Sequence, residues 1–260
     1  MRKIALVMLF ACVVPTPGGT PREPVPVVPP TVNLDARGEA GYLWSGYTPR
    51  DPGQPIAWKP REGDIVFMTA TDKPQHTTYA IGRTTHPYHI GLIVRRSNGE
   101  LGILESGGGI PAVTFRPILG RFGVYDLATE RRFAWVRRIR QPLTCEQSRS
   151  MTVYGEPQVG KPFSSYARLT MFWLPGHPSP KTTPDQEKWF CSEIVVALLQ
   201  EAGVLGKTEF RHGSTTPREL FTDCLWNDIS DRYHAPLPWS LNLAQPPVPG
   251  PLFAPYRARE

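Results

Sequence analysis

Short apolar runs between turn residues dominate the first half of the chain, and apolar positions at helical spacing dominate the second. The turn Arg61-Glu62-Gly63-Asp64 leads into Ile65-Val66-Phe67-Met68, which reads as a short buried strand. His89 to Val94 and Leu101 to Glu105 read as two more, joined across Ser97-Asn98-Gly99-Glu100, where Asn-Gly tolerates positive φ and marks a hairpin. Phe133 to Ile139 is the next strand. Around it Arg131, Arg132, Arg137, Arg138 and Arg140 alternate with Phe133, Trp135, Val136 and Ile139, which predicts one solvated face. Thr69 to Pro87 is polar, carries His76 and His86, and reads as a loop over a site.

Leu143 to Tyr154 predicts a helix. A second has Ile194, Val195, Leu198, Leu199 and Ala202 on one side and Gly203 as its cap. Thr216-Pro217-Arg218-Glu219 starts a third, with threonine as cap and proline at the first position. Strands followed by helices make an α+β pattern with the sheet packed on the helices.

Both ends of the chain differ from this middle. Arg2 and Lys3 precede the apolar run Ile4 to Ala11, so residues 1–14 read as an export signal too short to span a bilayer. Leu9-Phe10-Ala11-Cys12 resembles the bacterial lipoprotein cleavage box, although Phe10 departs from the small residues usual there. Lipidation of Cys12, with membrane association through it, and plain cleavage just downstream are both open. The remaining alternative is a buried apolar strand. Residues 15–32 form a proline-rich linker, 33–245 one domain, and 246–260 a proline-rich tail that Leu252, Phe253 and Tyr256 would hold on the body. Either exported form places the protein in the bacterial cell envelope or periplasm.

The formal charge of +6 suits attraction to anionic lipid or wall polymer. Nucleic-acid binding would need a recognisable module as well, and none is present. In an oxidising compartment, a lipidated Cys12 and a functional Cys191 leave Cys145 and Cys224, which either pair or remain two buried free thiols on helices.

Candidate chemistry centres on Trp189-Phe190-Cys191-Ser192-Glu193, a thiol at the entrance of the strongest helix. The positive end of a helix and a neighbouring imidazole both favour the thiolate. His89 opens one hairpin strand and Glu105 lies on the other. Cysteine, histidine and carboxylate are the nucleophile, base and orienting group of a thiol hydrolase. Each also has a plainer reading: Cys191 as a small buried residue on an apolar helix face, His89 as a satisfied histidine at a strand end, Glu105 as a surface carboxylate.

The hairpin register bears on Glu105. A two-residue Asn98-Gly99 turn pairs Leu92 with Glu105 and leaves Glu105 on the face opposite His89, whereas a three-residue loop with a bulge pairs Gly91 with Glu105 and puts both on one face. A triad needs the bulge. It also needs the helix to begin near Cys191, because Thr183-Pro184-Asp185-Gln186 has the form of a cap and an unbroken helix from there would carry Cys191 about two turns inside. A break before Trp189 is expected.

Other catalytic classes fit poorly, for there is no His-Glu-x-x-His, Cys-x-x-Cys, Gly-x-Ser-x-Gly or phosphate-binding glycine loop. His86-Pro87-Tyr88-His89 is too sparse for a metal site. Gly107-Gly108-Gly109 reads as a mobile rim beside a cleft. No metal or organic cofactor is expected.

Gly63-Asp64-Ile65-Val66-Phe67, His89-Ile90-Gly91-Leu92-Ile93, Leu104-Glu105-Ser106, Phe190-Cys191-Ser192-Glu193 and Thr216-Pro217-Arg218-Glu219-Leu220 together resemble the circularly permuted papain-like amidases of the NlpC superfamily, the group that includes lecithin retinol acyltransferase-like enzymes. Histidine precedes cysteine here, as in the permuted group. The resemblance covers Arg61 to Leu225 and implies a small antiparallel papain-like sheet packed on the cysteine helix, with Cys191 as nucleophile, His89 as base and Glu105 as orienting residue. Phe163-Ser164-Ser165-Tyr166 lacks an acidic residue that relatives often carry in this region. The resulting expectation is an exported thiol hydrolase acting on an amide or ester of a cell-wall peptide or lipid. Two alternatives are acyl transfer by the same site and a non-catalytic envelope-binding domain with Tyr166, Trp173 and Trp189 lining a groove.

Overall fold

The strand-forming runs pair into one antiparallel sheet with helices against both faces. In the computed structural model, residues 33–48, 51, 53–70, 87–107, 111–125, 132–164, 186–210, 213, 215–223 and 228–243 are described. Outside them lie the signal-like segment with Cys12, the proline-rich linker, His76 and His86, Gly108 and Gly109, Tyr166, Trp173, Thr183 to Asp185, Cys224 and the C-terminal tail.

The strands are β1 (Tyr42–Ser45), β2 (Gln54–Ala57), β3 (Ile65–Ala70), β4 (His89–Arg95), β5 (Leu101–Ser106), β6 (Val113–Arg116), β7 (Arg132–Arg137) and β8 (Leu237–Ser240). They form one eight-stranded sheet in the order β2-β1-β8-β7-β3-β4-β5-β6, larger than the small sheet expected. Four helices accompany it among the described residues: α1 (Ile118–Phe122), α2 (Cys145–Gly155), α3 (Cys191–Glu201) and α4 (Pro217–Thr222). The fold is mixed α+β.

Strand alternation divides the core in two. Ile65, Phe67, Ile90, Leu92, Leu104, Phe133 and Trp135 point to the face covered by α3, with Met151 of α2 and Leu220 of α4 in the same cluster. Val66, Met68, Ile93, Ile103, Ala134 and Val136 point the other way, against Ile118, Leu119 and Phe122 of α1 and the indoles of Trp58 and Trp239.

Cover on both faces corrects two expectations. Strand β7 lies between β3 and β8 and has no solvated face: Phe133 through Arg137 are all buried. Arg137 is wholly buried. Its guanidinium donates to the carbonyls of His234 at 3.0 Å and Leu220 at 2.8 Å and ion-pairs with Asp223, so its charge is satisfied inside. Helix α3 is buried from Cys191 through Gln200, not along one stripe, because it is the central helix on its face.

Local signals account for the remaining boundaries. Thr144 caps α2 and Thr216 caps α4, each in a reciprocal box with the third helical residue, Gln147 and Glu219. The Gly63-Asp64 turn is fixed by the Asp64 carboxylate, which accepts from Trp58 Nε1 at 3.2 Å, Arg61 N at 3.1 Å and Ile139 N at 3.0 Å. Cys145, at the start of α2, is an exposed free thiol, which removes half of the reading of two buried thiols.

Candidate active site

The β4–β5 hairpin adopts the bulged register. Arg96 N–H donates to Glu100 C=O at 2.8 Å and Gly99 N–H to Arg96 C=O at 2.9 Å, closing the loop Ser97-Asn98-Gly99. Gly99 has φ +86°, the left-handed conformation that such a loop requires at that position. Pairing then runs Arg95↔Leu101, Leu92↔Leu104 and Gly91↔Glu105. Because side chains alternate, Glu105 shares a face with Gly91 and therefore with His89. His89 Nε2 lies 2.6 Å from Glu105 Oε2, and both side chains are buried.

The β4–β5 ladder ends at Gly91↔Glu105, and the backbone N–H of Ile90 is hydrogen-bonded to the sulfur of Cys191 instead. The thiol is thus one residue along the backbone from His89, at the open end of the hairpin. Helix α3 lies on the opposite sheet face from His89 and Glu105, and Cys191 reaches the hairpin at this opening.

Several contacts aim the cysteine. The Trp189 carbonyl accepts from Ser106 Oγ at 2.8 Å and from Ser164 N–H at 3.0 Å, while Trp189 N–H donates to Pro162 C=O at 3.1 Å. Its indole donates to Gln158 Oε1 at 3.0 Å. Residues 186–188 are not helical, and α3 begins at Cys191, so the expected break before Trp189 is present. Phe190 has no oxygen with which to cap the helix; Glu193 reaches back to accept from Phe190 N–H at 3.2 Å. Cys191 is therefore the first helical residue, where backbone N–H groups lack intrahelical acceptors.

A residue that the sequence did not disclose completes the cluster. Arg121 of α1 donates from Nε to Glu105 Oε1 at 2.6 Å and from Nη2 to Oε2 at 3.1 Å, a two-point clamp in a buried setting. Its guanidinium also lies 5.0 Å from the centre of the Tyr125 ring. Arg116 of β6 adds a weaker ion pair at 3.4 Å to Oε1. The sole signal in the sequence was an arginine flanked by apolar residues in Ile118-Leu119-Gly120-Arg121-Phe122. Five helical residues show too little periodicity to place it.

The electrostatics follow from these contacts. Burial works against a charge on Glu105, but the Arg121 guanidinium and the His89 hydrogen bond prevail and hold its carboxyl down at about 2. Burial dominates at Cys191 and pushes the thiol up to about 12. The N–H groups of Ile90, Ser192 and Cys191 oppose that rise, and the Glu105 charge adds to it. This corrects the expectation of a thiol ionised in advance by the helix end: Cys191 rests protonated. Among the described residues, no group of three or more His, Cys, Asp or Glu could hold a metal ion. None of the described helices is long and apolar enough to cross a membrane.

The chain matches no protein-family model and no curated protein sequence. Among solved structures, a neighbour is the metalloprotein yiiX from Escherichia coli O157:H7, 22% identical, with a TM-score of 0.38 over 57% of this chain and 69% of that one.

Proposed function

We propose that the chain is an exported thiol hydrolase that cleaves an amide or ester of a cell-wall peptide or lipid, on a circularly permuted papain-like fold of the NlpC superfamily type. The observation that carries this reading is the convergence of Cys191 at a helix start, Ile90 N–H on its sulfur, and the neighbouring His89 held by Glu105. With Nε2 of His89 on Glu105, Nδ1 acts as the base. Because the thiol rests protonated, His89 removes its proton as the sulfur attacks the carbonyl, in general-base fashion. The helix-start N–H groups stabilise the oxyanion. The imidazolium then protonates the leaving group, and water releases the acyl-enzyme. Export and membrane attachment through Cys12 belong to the same proposal.

The raised thiol pKa favours one second reading, an envelope-binding domain whose cysteine is inert. Incubation with an activated acyl ester, followed by intact and peptide-mapped mass spectrometry, separates the two. The hydrolase forms a thioester on Cys191 that decays in water and is missing in the His89→Ala variant. Absence of any acyl adduct on Cys191 in the folded protein, across pH 6 to about 9, would leave the binding domain as the better reading.

A further inference from the structure

A carboxylate behind a catalytic imidazole ordinarily does two things: it fixes the ring and, by its charge, favours the imidazolium. In this protein the second effect is opposed. Both oxygens of Glu105 are engaged by Arg121, at 2.6 and 3.1 Å, and the oxygen that receives Nη2 is the one that meets His89 at 2.6 Å. The guanidinium nitrogen and the imidazole nitrogen share Oε2, so they are no more than about 6 Å apart, within the distance at which a like charge disfavours protonation. Arg116 stands on the other oxygen at 3.4 Å. Two arginines therefore face one carboxylate.

We propose that Arg121 is a positioning residue of this site: by clamping Glu105 it keeps the carboxylate in place to orient His89 while cancelling the charge that would make His89 an imidazolium. The inference rests on the thiol hydrolase reading for its functional meaning. His89 meets Glu105 from β5, which carries Arg121 from α1 and Arg116 from β6 on its oxygens; the Cys191 thiol from α3 sits at the N–H of the adjoining Ile90, and on β3 the cross-strand partner of His89 is the uncharged Met68. Of these, Arg121 and Arg116 oppose a positive charge on the ring. The protonated Cys191 and the Arg-clamped Glu105 then form a resting site that is neutral at the reacting pair. Nucleophile and base are kept as thiol and imidazole in a buried setting, where separating them into ions is costly.

The test is the His89 pKa, read by NMR titration of the imidazole resonances in the protein without substrate and assigned by loss of a signal in His89→Gln. Arg121→Gln should raise that pKa by about 1 to 3 units, the range for removal of a nearby like charge. Arg121→Lys, which keeps the charge, should return it to within about half a unit of the wild-type value. The double variant Glu105→Gln/Arg121→Gln removes one charge of each sign from the buried pair. It should leave the His89 pKa near the wild-type value, whereas Glu105→Gln alone should lower it. An unchanged pKa in folded Arg121→Gln, or a double variant that falls as far as Glu105→Gln alone, overturns the proposal. If Arg121→Gln does not fold, the double variant decides by itself. The titration involves no acyl transfer, so its failure is separate from failure to form a thioester.

Discussion

The Glu105 carboxylate should make acid a specific weapon against this fold. Its carboxyl titrates at about 2 in the folded protein against an ordinary 4.5, because Arg121 and His89 favour the anion. A folded value below the unfolded one means stability that is fully present above the unfolded pKa and lost as pH falls through the folded value. At about 1.4 kcal/mol per unit, the shift is worth about 3 kcal/mol, counted on Glu105 alone and not again on Arg121. Glu105 is fully buried, so solvent screening does not reduce it. Glu105→Gln keeps the shape and removes the titration. Urea unfolding midpoints of both proteins, taken from pH 7 to pH 2, measure the difference. The variant should be less stable at pH 7 by about 3 to 5 kcal/mol, since Arg121 is left buried without its anion. Between about pH 4.5 and pH 2 the wild type should lose about 3 kcal/mol more than the variant. Parallel stability curves over that window would mean that Glu105 does not carry this pH dependence, whatever the offset between them.

Two other positions test how the site is held. Gly107 has φ +89°, and a Cβ there would lie 2.8 Å from the ring of Phe163, which stacks edge-on against Phe190 ahead of Cys191; Gly107→Ala should cost about 2 kcal/mol or more in thermal unfolding, and an unchanged Tm would contradict the contact. Arg137→Met should cost about 3 kcal/mol in chemical unfolding because it leaves the Leu220 and His234 carbonyls and Asp223 without their donor; a loss below about 1 kcal/mol would mean that the buried guanidinium contributes little net stability.

Much of the local structure was legible because the residues that fix it are adjacent in sequence. Asn98-Gly99 announced the hairpin, Thr216-Pro217 the start of α4, and Phe190-Cys191-Ser192 the start of α3. His89 and Glu105 can share a face only in the bulged register, and the φ +86° of Gly99 meets that condition. What stayed hidden depends on contacts between distant segments. Strands β1 and β8 have four residues each and find each other across most of the chain, with Trp44 Nε1 donating to Ser240 Oγ at 2.8 Å. Alternating arginines around β7 suggested water on one face, but a strand in the middle of a sheet covered on both sides has none, and Arg137 is satisfied by carbonyls from α4 and from the segment before β8. The clamp of Arg121 on Glu105 needs α1 folded back over the β4–β5 hairpin, which no periodicity in five residues reveals. The state of the thiol stayed hidden for a related reason: a helix start favours a thiolate only where burial does not cost more.

Activation of Cys191 by His89 is read from the alkylation of Cys191 by iodoacetamide, followed by peptide-mapped mass spectrometry from pH 6 to about 10 in wild type and His89→Ala. Mapping separates Cys191 from the exposed Cys145, which serves as an internal reference. Loss of the base should slow Cys191 by about a hundredfold at pH 7 to 8 while Cys145 reacts at the same rate in both proteins. Equal Cys191 rates in the two proteins, each rising only as the pH approaches the raised thiol pKa of about 12, would contradict it.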